Sequence, residues 1–317
     1  MSLFTVSSSP HIRSQESTSR IMLDVIIALM PAGIVSIWVY GARTLMVILV
    51  AIASAVLTEL AVQKFMKKPV TISDLSAVVT GMLVAYNLPP SAPWWLPAIG
   101  SVIAIALVKQ VFGGLGHNFM NPALAARAIL LASWPVQMTD WVNPGADAVS
   151  TATPLALVKA GEVAGSSTQL PPLWDVFLKS AGGTIGEISS AALLLGAAYL
   201  LIRGVINWRI PATCIGTVFI LTLLFKGTGL YGSFYELFLG GLILGAFFMA
   251  TDYASSPVTP LGQIIMGVGC GILTVVIRNF GGYPEGVSYS ILLMNVATPL
   301  IDKYTMPKIF GEVRKHG

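Results

Sequence analysis

The fold class this sequence predicts is an all-α integral membrane protein. It is expected to have about ten transmembrane helices in two inverted five-helix repeats, with interrupted helices. Three observations predict it. Of 317 residues, 55% are hydrophobic and 10% charged, with a mean hydropathy of +0.79, whereas soluble domains carry about 25% charged residues. The apolar residues gather in runs that approach the ~20 needed to cross a bilayer as a helix, a form that satisfies its own backbone polar groups. Short motifs also recur in the same order in the two halves of the chain. The short-strand alternation of an outer-membrane barrel is absent.

Residues 1–20 read as a polar N-terminal arm carrying His11, Arg13 and Arg20. No small-residue cleavage site follows the apolar run that begins at Ile21, so this run is not a removable signal. Spans are predicted at 21–40, 44–62, 73–88, 94–111 and 119–134, which make a first five-helix repeat over 21–136. A polar excursion covers 137–187. Spans at 188–205, 210–226, 233–250, 261–280 and 286–303 make a second repeat over 188–303, and 304–317 is a tail. Gly and Pro shorten or break several, notably 73–88 and 119–134.

Orientation follows from the basic residues. With the N-terminus in the cytoplasm, the arm, the 63–72 loop, Lys109, Arg203, Arg209 and the tail put twelve Lys and Arg inside. Arg43, Lys159, Lys179, Lys226 and Arg278 lie outside, and Arg127 falls within a span. Both termini are therefore expected in the cytoplasm. The net charge of +4 is explained by this topology and needs no nucleic-acid partner; the lipid bilayer is the partner.

The repeat is read from two series. Gly81-Met-Leu-Val-Ala-Tyr-Asn87 is followed by a Pro-rich break, an apolar span and Lys109-Gln-Val-Phe-Gly-Gly114. Gly245-Ala-Phe-Phe-Met-Ala-Thr-Asp252 is followed by a Ser-Pro break, a span and Arg278-Asn-Phe-Gly-Gly282. Five spans per half is an odd number, so the copies run in opposite directions. Such architectures place a site between the halves.

Within the polar excursion stands Asp147-Ala-Val-Ser-Thr-Ala-Thr-Pro-Leu155. Trp141, Trp174 and small apolar patches suggest that this loop folds against the spans. Thr153 precedes a proline and so leaves the α region, while Pro154 suits a first helical turn that runs to Gly161. Thr153 is therefore an N-cap candidate. A phosphate on its hydroxyl would meet free N–H groups at a helix start. From the local residues alone, an ordinary cap before a short loop helix is the better account.

Longer motifs add a resemblance. Val111-Phe-Gly-Gly-Leu-Gly-His-Asn-Phe-Met-Asn-Pro-Ala-Leu-Ala-Ala-Arg127 resembles a signature of the RnfD and NqrB membrane flavoproteins. So do Ser150-Thr-Ala-Thr153, Gly245–Asp252, Arg278-Asn-Phe-Gly-Gly-Tyr-Pro-Glu-Gly286 and Leu292-Leu-Met-Asn295. The likeness covers nearly the whole chain, and the short arm looks like RnfD. In that family the last threonine of the Ser-Gly/Thr-Ala-Thr motif carries FMN through a phosphoester, which here implies Thr153, with Ser150 and Thr151 beside it. Thr151 stands where Gly is commoner. The chain has no Gly-x-Gly-x-x-Gly nucleotide-binding unit of its own, so a covalent tether would replace binding energy.

The resemblance also implies a second, non-covalent flavin (riboflavin). Its candidate neighbourhood is the loop with Gly113, Gly114 and Gly116, which allow close backbone approach, and with Asn118 and Asn121, whose amides can bond a flavin ring. Tight helix packing explains those glycines as readily. Arg278 is a candidate to balance an anionic flavin or its phosphate, with interfacial anchoring as the alternative, and Tyr283 is a candidate to stack on the ring. His117 lacks a second ligand at metal spacing, and Cys214 and Cys270 read as packing residues. Charges within spans are functional suspects: Asp24, Glu59, Arg127, Glu236, Asp252 and Asp302. Of these, Asp24, Glu59 and Asp302 lie near span ends, within reach of the interface.

The function implied is that of an electron-relay subunit in an Rnf-type complex. Such a complex couples ferredoxin:NAD⁺ electron transfer to Na⁺ or H⁺ translocation, with partners equivalent to RnfA, RnfB, RnfC, RnfE and RnfG. It would belong to an oxidoreductase complex without a complete active site in this chain. An NqrB-like quinone-reducing subunit, or a solute channel or transporter with inverted repeats, are the competing readings.

Overall fold

A computed structural model of the chain describes residues 17–141, 153, 155–159, 171–179, 182–226, 229–282 and 285–307. Among these there are helices and turns but no strand.

Helix α1, Thr18–Tyr40, starts at Ser17, whose Oγ accepts from the Arg20 N–H. It ends at Gly41, where φ of +75° turns the chain directly into α2, Ala42–Phe65. At 23 and 24 residues and ~1.5 Å per residue, both exceed a hydrocarbon core of about 30 Å. The third segment is much shorter. Asp74 accepts from the Ser76 N–H at 2.8 Å and from its hydroxyl at 2.6 Å, starting α3 at Ser76, and α3 stops at Tyr86 before Pro89 and Pro90. Nearly every residue of α3 is buried, as a helix that ends inside a membrane requires.

Next come α4, Trp95–Gln110, and α5, Pro122–Ser133. The second half of α4 winds more widely, with Val111 N–H reaching Ala106 O, the i→i+5 pattern of a π-turn. The second half of the chain holds α6 (Ser190–Ile202), α7 (Arg209–Lys226), α8 (Gly229–Leu237), α9 (Leu242–Met249), α10 (Pro260–Phe280) and α11 (Val287–Thr305).

Among the described residues, four helices, α1, α2, α7 and α10, are long and apolar enough to cross a membrane. The pair α8–α9 makes a fifth candidate, bent by 61°. Here the structure corrects the sequence reading: the expected single span 233–250 is split at Gly240 and Gly241, both at positive φ. The chain is thus an all-helical, multi-pass membrane protein.

Helix packing repeats between the halves. In the first, Ser101 Oγ donates to Ala51 O at 2.9 Å and Lys109 Nζ to Glu59 Oε2 at 3.0 Å, so α2 and α4 run parallel. In the second, a Cβ on Gly267 would meet Thr213 Oγ1 at 1.9 Å, and one on Gly271 would meet Thr217 Cβ at 2.6 Å. These contacts make α7 and α10 parallel too, packed through a small-xxx-small seam. Helices α1 and α6 join the halves, with Gly196 against the Ala28 carbonyl.

Four of the six charges within spans, Asp24, Glu59, Arg127 and Glu236, make ion pairs. Asp24 takes Tyr199 Oη at 2.7 Å and Arg203 Nη2 at 3.1 Å. Glu59 takes Lys109 at 2.9 Å and Gln110 Nε2 at 2.7 Å, and Glu236 takes Lys226 at 2.8 Å. Asp24 and Glu59 therefore do not reach the interface; they are 5% and 1% exposed. The cost of an unpaired ion in low dielectric explains the pairing. Asp302 is half-buried and accepts from the Val258 N–H at 3.2 Å.

Candidate functional site

Two polar regions flank the short helix α9. Gly240, just before it, lines the first, and Asp252, just after it, lines the second. The eight residues between them amount to roughly 12 Å of helix.

The first region is built around Thr153, which is 4% exposed. Its Oγ accepts from the Ala156 N–H at 3.1 Å and its carbonyl from the Leu157 N–H at 2.9 Å, so it caps the helical turn at 155–159. Leu155 and Val176 pack against Tyr235 and Leu239, which seats the polar excursion on α8. Thr153 shares a cavity of about 10 Å³ with Gly182, Glu187, Gly240 and Glu285, room for about one water. Ser150, Thr151 and Tyr283 lie outside the described residues.

Arg278 is next to this cavity. A Cβ on Gly240 would stand 2.5 Å from Leu155 Cδ2 and 3.1 Å from Arg278 Nη2. Arg278 is 3% exposed and donates to Glu236 O at 3.0 Å and Leu239 O at 2.8 Å, while its Nε has no hydrogen-bond partner. A buried guanidinium held by neutral carbonyls, with one orphan donor, suits a nearby anion. This is not an interfacial anchor, because the side chain does not reach solvent. The residues fit the phosphate end of a flavin nucleotide; the ring needs space beyond this small cavity.

Glu285 pairs with Arg127, which also donates to Asn87 Oδ1 at 2.9 Å. Glu187 Oε1 accepts from Thr184 Oγ1 at 2.8 Å. Burial above all, then the charge of Glu285, pushes the Glu187 pKa up to about 8, against the opposing pull of Arg127, the Thr184 hydroxyl and Arg278. The folded state thus keeps a proton that the unfolded carboxyl releases near 4.5. The stability this confers is complete below that value and is lost as pH climbs to about 8. Glu187→Gln is expected to remove this component. In detergent, the wild-type melting temperature should fall from pH 5 to pH 8 more steeply than that of the variant. Identical slopes would count against the assignment.

The second region is a cavity of about 100 Å³ between the halves, lined by Thr80, Lys109, Asn118, Asn121, Thr251 and Asp252 among others. Asn118 Nδ2 donates to Asp252 Oδ2 at 3.3 Å and to Met120 O at 3.1 Å. Asn121 caps α5, its Oδ1 accepting from Ala123 N–H at 3.0 Å and Leu124 N–H at 3.2 Å, and its Nδ2 donates to Met249 O. Asp252 Oδ2 also accepts from Ser255 Oγ at 3.0 Å.

Gly113, Gly114 and Gly116 sit at φ of +125°, +102° and +85°, and none of them lines the cavity. Their left-handed backbone is reason enough for glycine. The donor set fits a flavin ring, but the volume does not. An apolar cavity of ~150 Å³ holds one benzene, so three fused rings need more space than this cavity of about 100 Å³ offers. Sequence reasoning missed Lys109 as a lining residue, because its count treated Lys109 as an interfacial charge. The signal available was its repeat partner, Arg278, also buried.

Comparison with known proteins gives a consistent result. Residues 5–311 match the family described as NQR2, RnfD, RnfE. The chain is 56% identical over 310 residues to the D-type subunit of the Na⁺-translocating ferredoxin:NAD⁺ oxidoreductase complex of Acetobacterium woodii, covering 97% of this chain and 95% of that one. It is 49% identical over 325 residues to the D-type subunit of the proton-translocating ferredoxin:NAD⁺ oxidoreductase complex of Clostridium ljungdahlii, covering 98% and 97%. It is 36% identical over 347 residues to the D-type subunit of the ion-translocating oxidoreductase complex of Escherichia coli strain K12, covering 98% and 99%.

Proposed function

The chain belongs to the NQR2, RnfD, RnfE family, and from that membership we propose that it is the D-type electron-relay subunit of an ion-translocating ferredoxin:NAD⁺ oxidoreductase complex. In this reading FMN is esterified to Thr153, and a non-covalent riboflavin lies by the 113–122 loop. The complex sits in the inner membrane with both termini of this chain in the cytoplasm. Subunits equivalent to RnfA, RnfB, RnfC, RnfE and RnfG complete it, and Na⁺ or H⁺ is the coupled ion.

The observation that carries the reading is the placement of Thr153. Its hydroxyl is buried at a helical cap beside Arg278, and a second polar cavity stands only the length of α9 away. When bound, the flavin would supply the electron chemistry, and the protein supplies position and electrostatics. An ester oxygen at Thr153 keeps the acceptor that the Ala156 N–H requires. Arg278 would offer its orphan Nε and its charge to the phosphate. The walls of α8, α9 and the seated loop exclude water from that end.

The test is direct. The full chain, made in a host able to attach flavin, is run on a denaturing gel under ultraviolet light. A fluorescent band is expected; a dark one would sink the covalent-flavin reading.

A further inference from the structure

A further cavity, of about 710 Å³, shares only Arg278 with these sites. It is a groove between α7 and α10, at the end where both helices terminate. Its size lies within the ~300–1,000 Å³ of typical ligand sites. Leu221, Phe225, Ile272, Val276 and Phe280 make its walls, and Lys159, Lys226 and Arg278 its polar end. Phe225 and Phe280 are 74% and 86% exposed on helices long and apolar enough to cross the membrane.

We propose that this groove binds an anionic phospholipid. Its phosphate would rest against Lys159 and Lys226, and an acyl chain would lie along Phe225, Val276 and Phe280. The charge balance selects this occupant. Lys226 is matched by Glu236 at 2.8 Å. Lys159 donates to the Gly281 carbonyl, and Arg278 to the carbonyls of Glu236 and Leu239, with its Nε unpartnered. Of the other carboxylates acting on Arg278, Glu285 is taken by Arg127 and Glu187 accepts from the Thr184 hydroxyl. Three cations thus line the groove and no carboxylate does, and Lys159 is held there by a neutral carbonyl. A phosphodiester with net negative charge answers that lining, whereas a zwitterionic headgroup brings a cation of its own. The apolar walls then favour the chain attached to that phosphate over a free anion.

The full chain, purified in detergent, is titrated with phosphatidylglycerol and with phosphatidylcholine of the same acyl chains, and bound lipid is read by native mass spectrometry. Phosphatidylglycerol is expected to be retained preferentially. Lys159→Gln should weaken that retention about fivefold, and Lys159→Arg should preserve it. Phe280→Ala, at an exposed position that leaves the fold intact, should weaken retention of the lipid without altering its headgroup preference. Equal retention of the two lipids, or phosphatidylglycerol binding indifferent to Lys159→Gln, would overturn the proposal. So would displacement by inorganic phosphate alone, or a groove in the whole complex that takes no lipid because a neighbouring subunit fills it.

Discussion

Replacing Thr153 with alanine is expected to leave a chain that inserts and folds but carries no flavin through denaturing electrophoresis. The structural loss is one capping bond, Thr153 Oγ to the Ala156 N–H, worth about 0.5–2 kcal/mol. The packing of Leu155 and Val176 on Tyr235 and Leu239 does not depend on that hydroxyl. The chemical loss is complete, because no phosphoester forms without the oxygen. Thr153→Ser keeps both the acceptor and the nucleophilic hydroxyl, so its band should still fluoresce. Measured together, gel fluorescence and melting in detergent separate the two roles. A bright Thr153→Ala band would move the attachment elsewhere, with Thr151 the nearest hydroxyl of the same motif.

Gly196→Ala should be the most damaging small substitution among the membrane helices. Its new methyl would lie 1.9 Å from the carbonyl oxygen of Ala28 and 2.8 Å from its carbon. Both are backbone atoms, so no side-chain rotation relieves the clash, and α1 must move away from α6. That movement would stretch the Asp24–Arg203 pair at 3.1 Å and the Ser36 Oγ bond to Ile185 O at 2.6 Å. We expect a loss of about 3 kcal/mol, the upper part of the usual overpacking range. Gly216, inside α7, has nothing within 4 Å of its would-be Cβ. Gly216→Ala should therefore be neutral or stabilising by roughly 0.5–1 kcal/mol. Equal melting temperatures for the two variants would refute the close crossing.

Much of the fold was legible because its causes are local. Apolar runs mark helices, Pro89 and Pro90 mark the end of α3, and Asn121-Pro122 marks the capped start of α5. Thr153 as a cap was legible from Thr-Pro in the same way. What periodicity does not carry is which distant charge meets which. Glu59 and Lys109 stand 50 positions apart, and both looked like interfacial charges until α2 and α4 were seen side by side. Arg278, counted as an outside charge, is buried on carbonyls 42 and 39 positions away for the same reason. The bend between α8 and α9 was visible as Gly240-Gly241, but a continuous apolar run outweighed it. The flavin assignment came from resemblance to a family, and the geometry around Thr153 adds a physical reason for it to be accommodated there.

The bond from Ser36 to Ile185 spans 149 residues, and the pair formed by Asp24 and Arg203 spans 179. At ~5–20 residues per second of synthesis, the ribosome needs roughly 7–30 s after Ser36 to reach Ile185. Throughout that interval α1 holds the Asp24 carboxylate, in its second turn, with its final partners Tyr199 and Arg203 not yet made. Whatever shelters Asp24 during that wait, whether the insertion machinery or a neighbouring subunit, acts on a helix that its own chain has not yet finished enclosing.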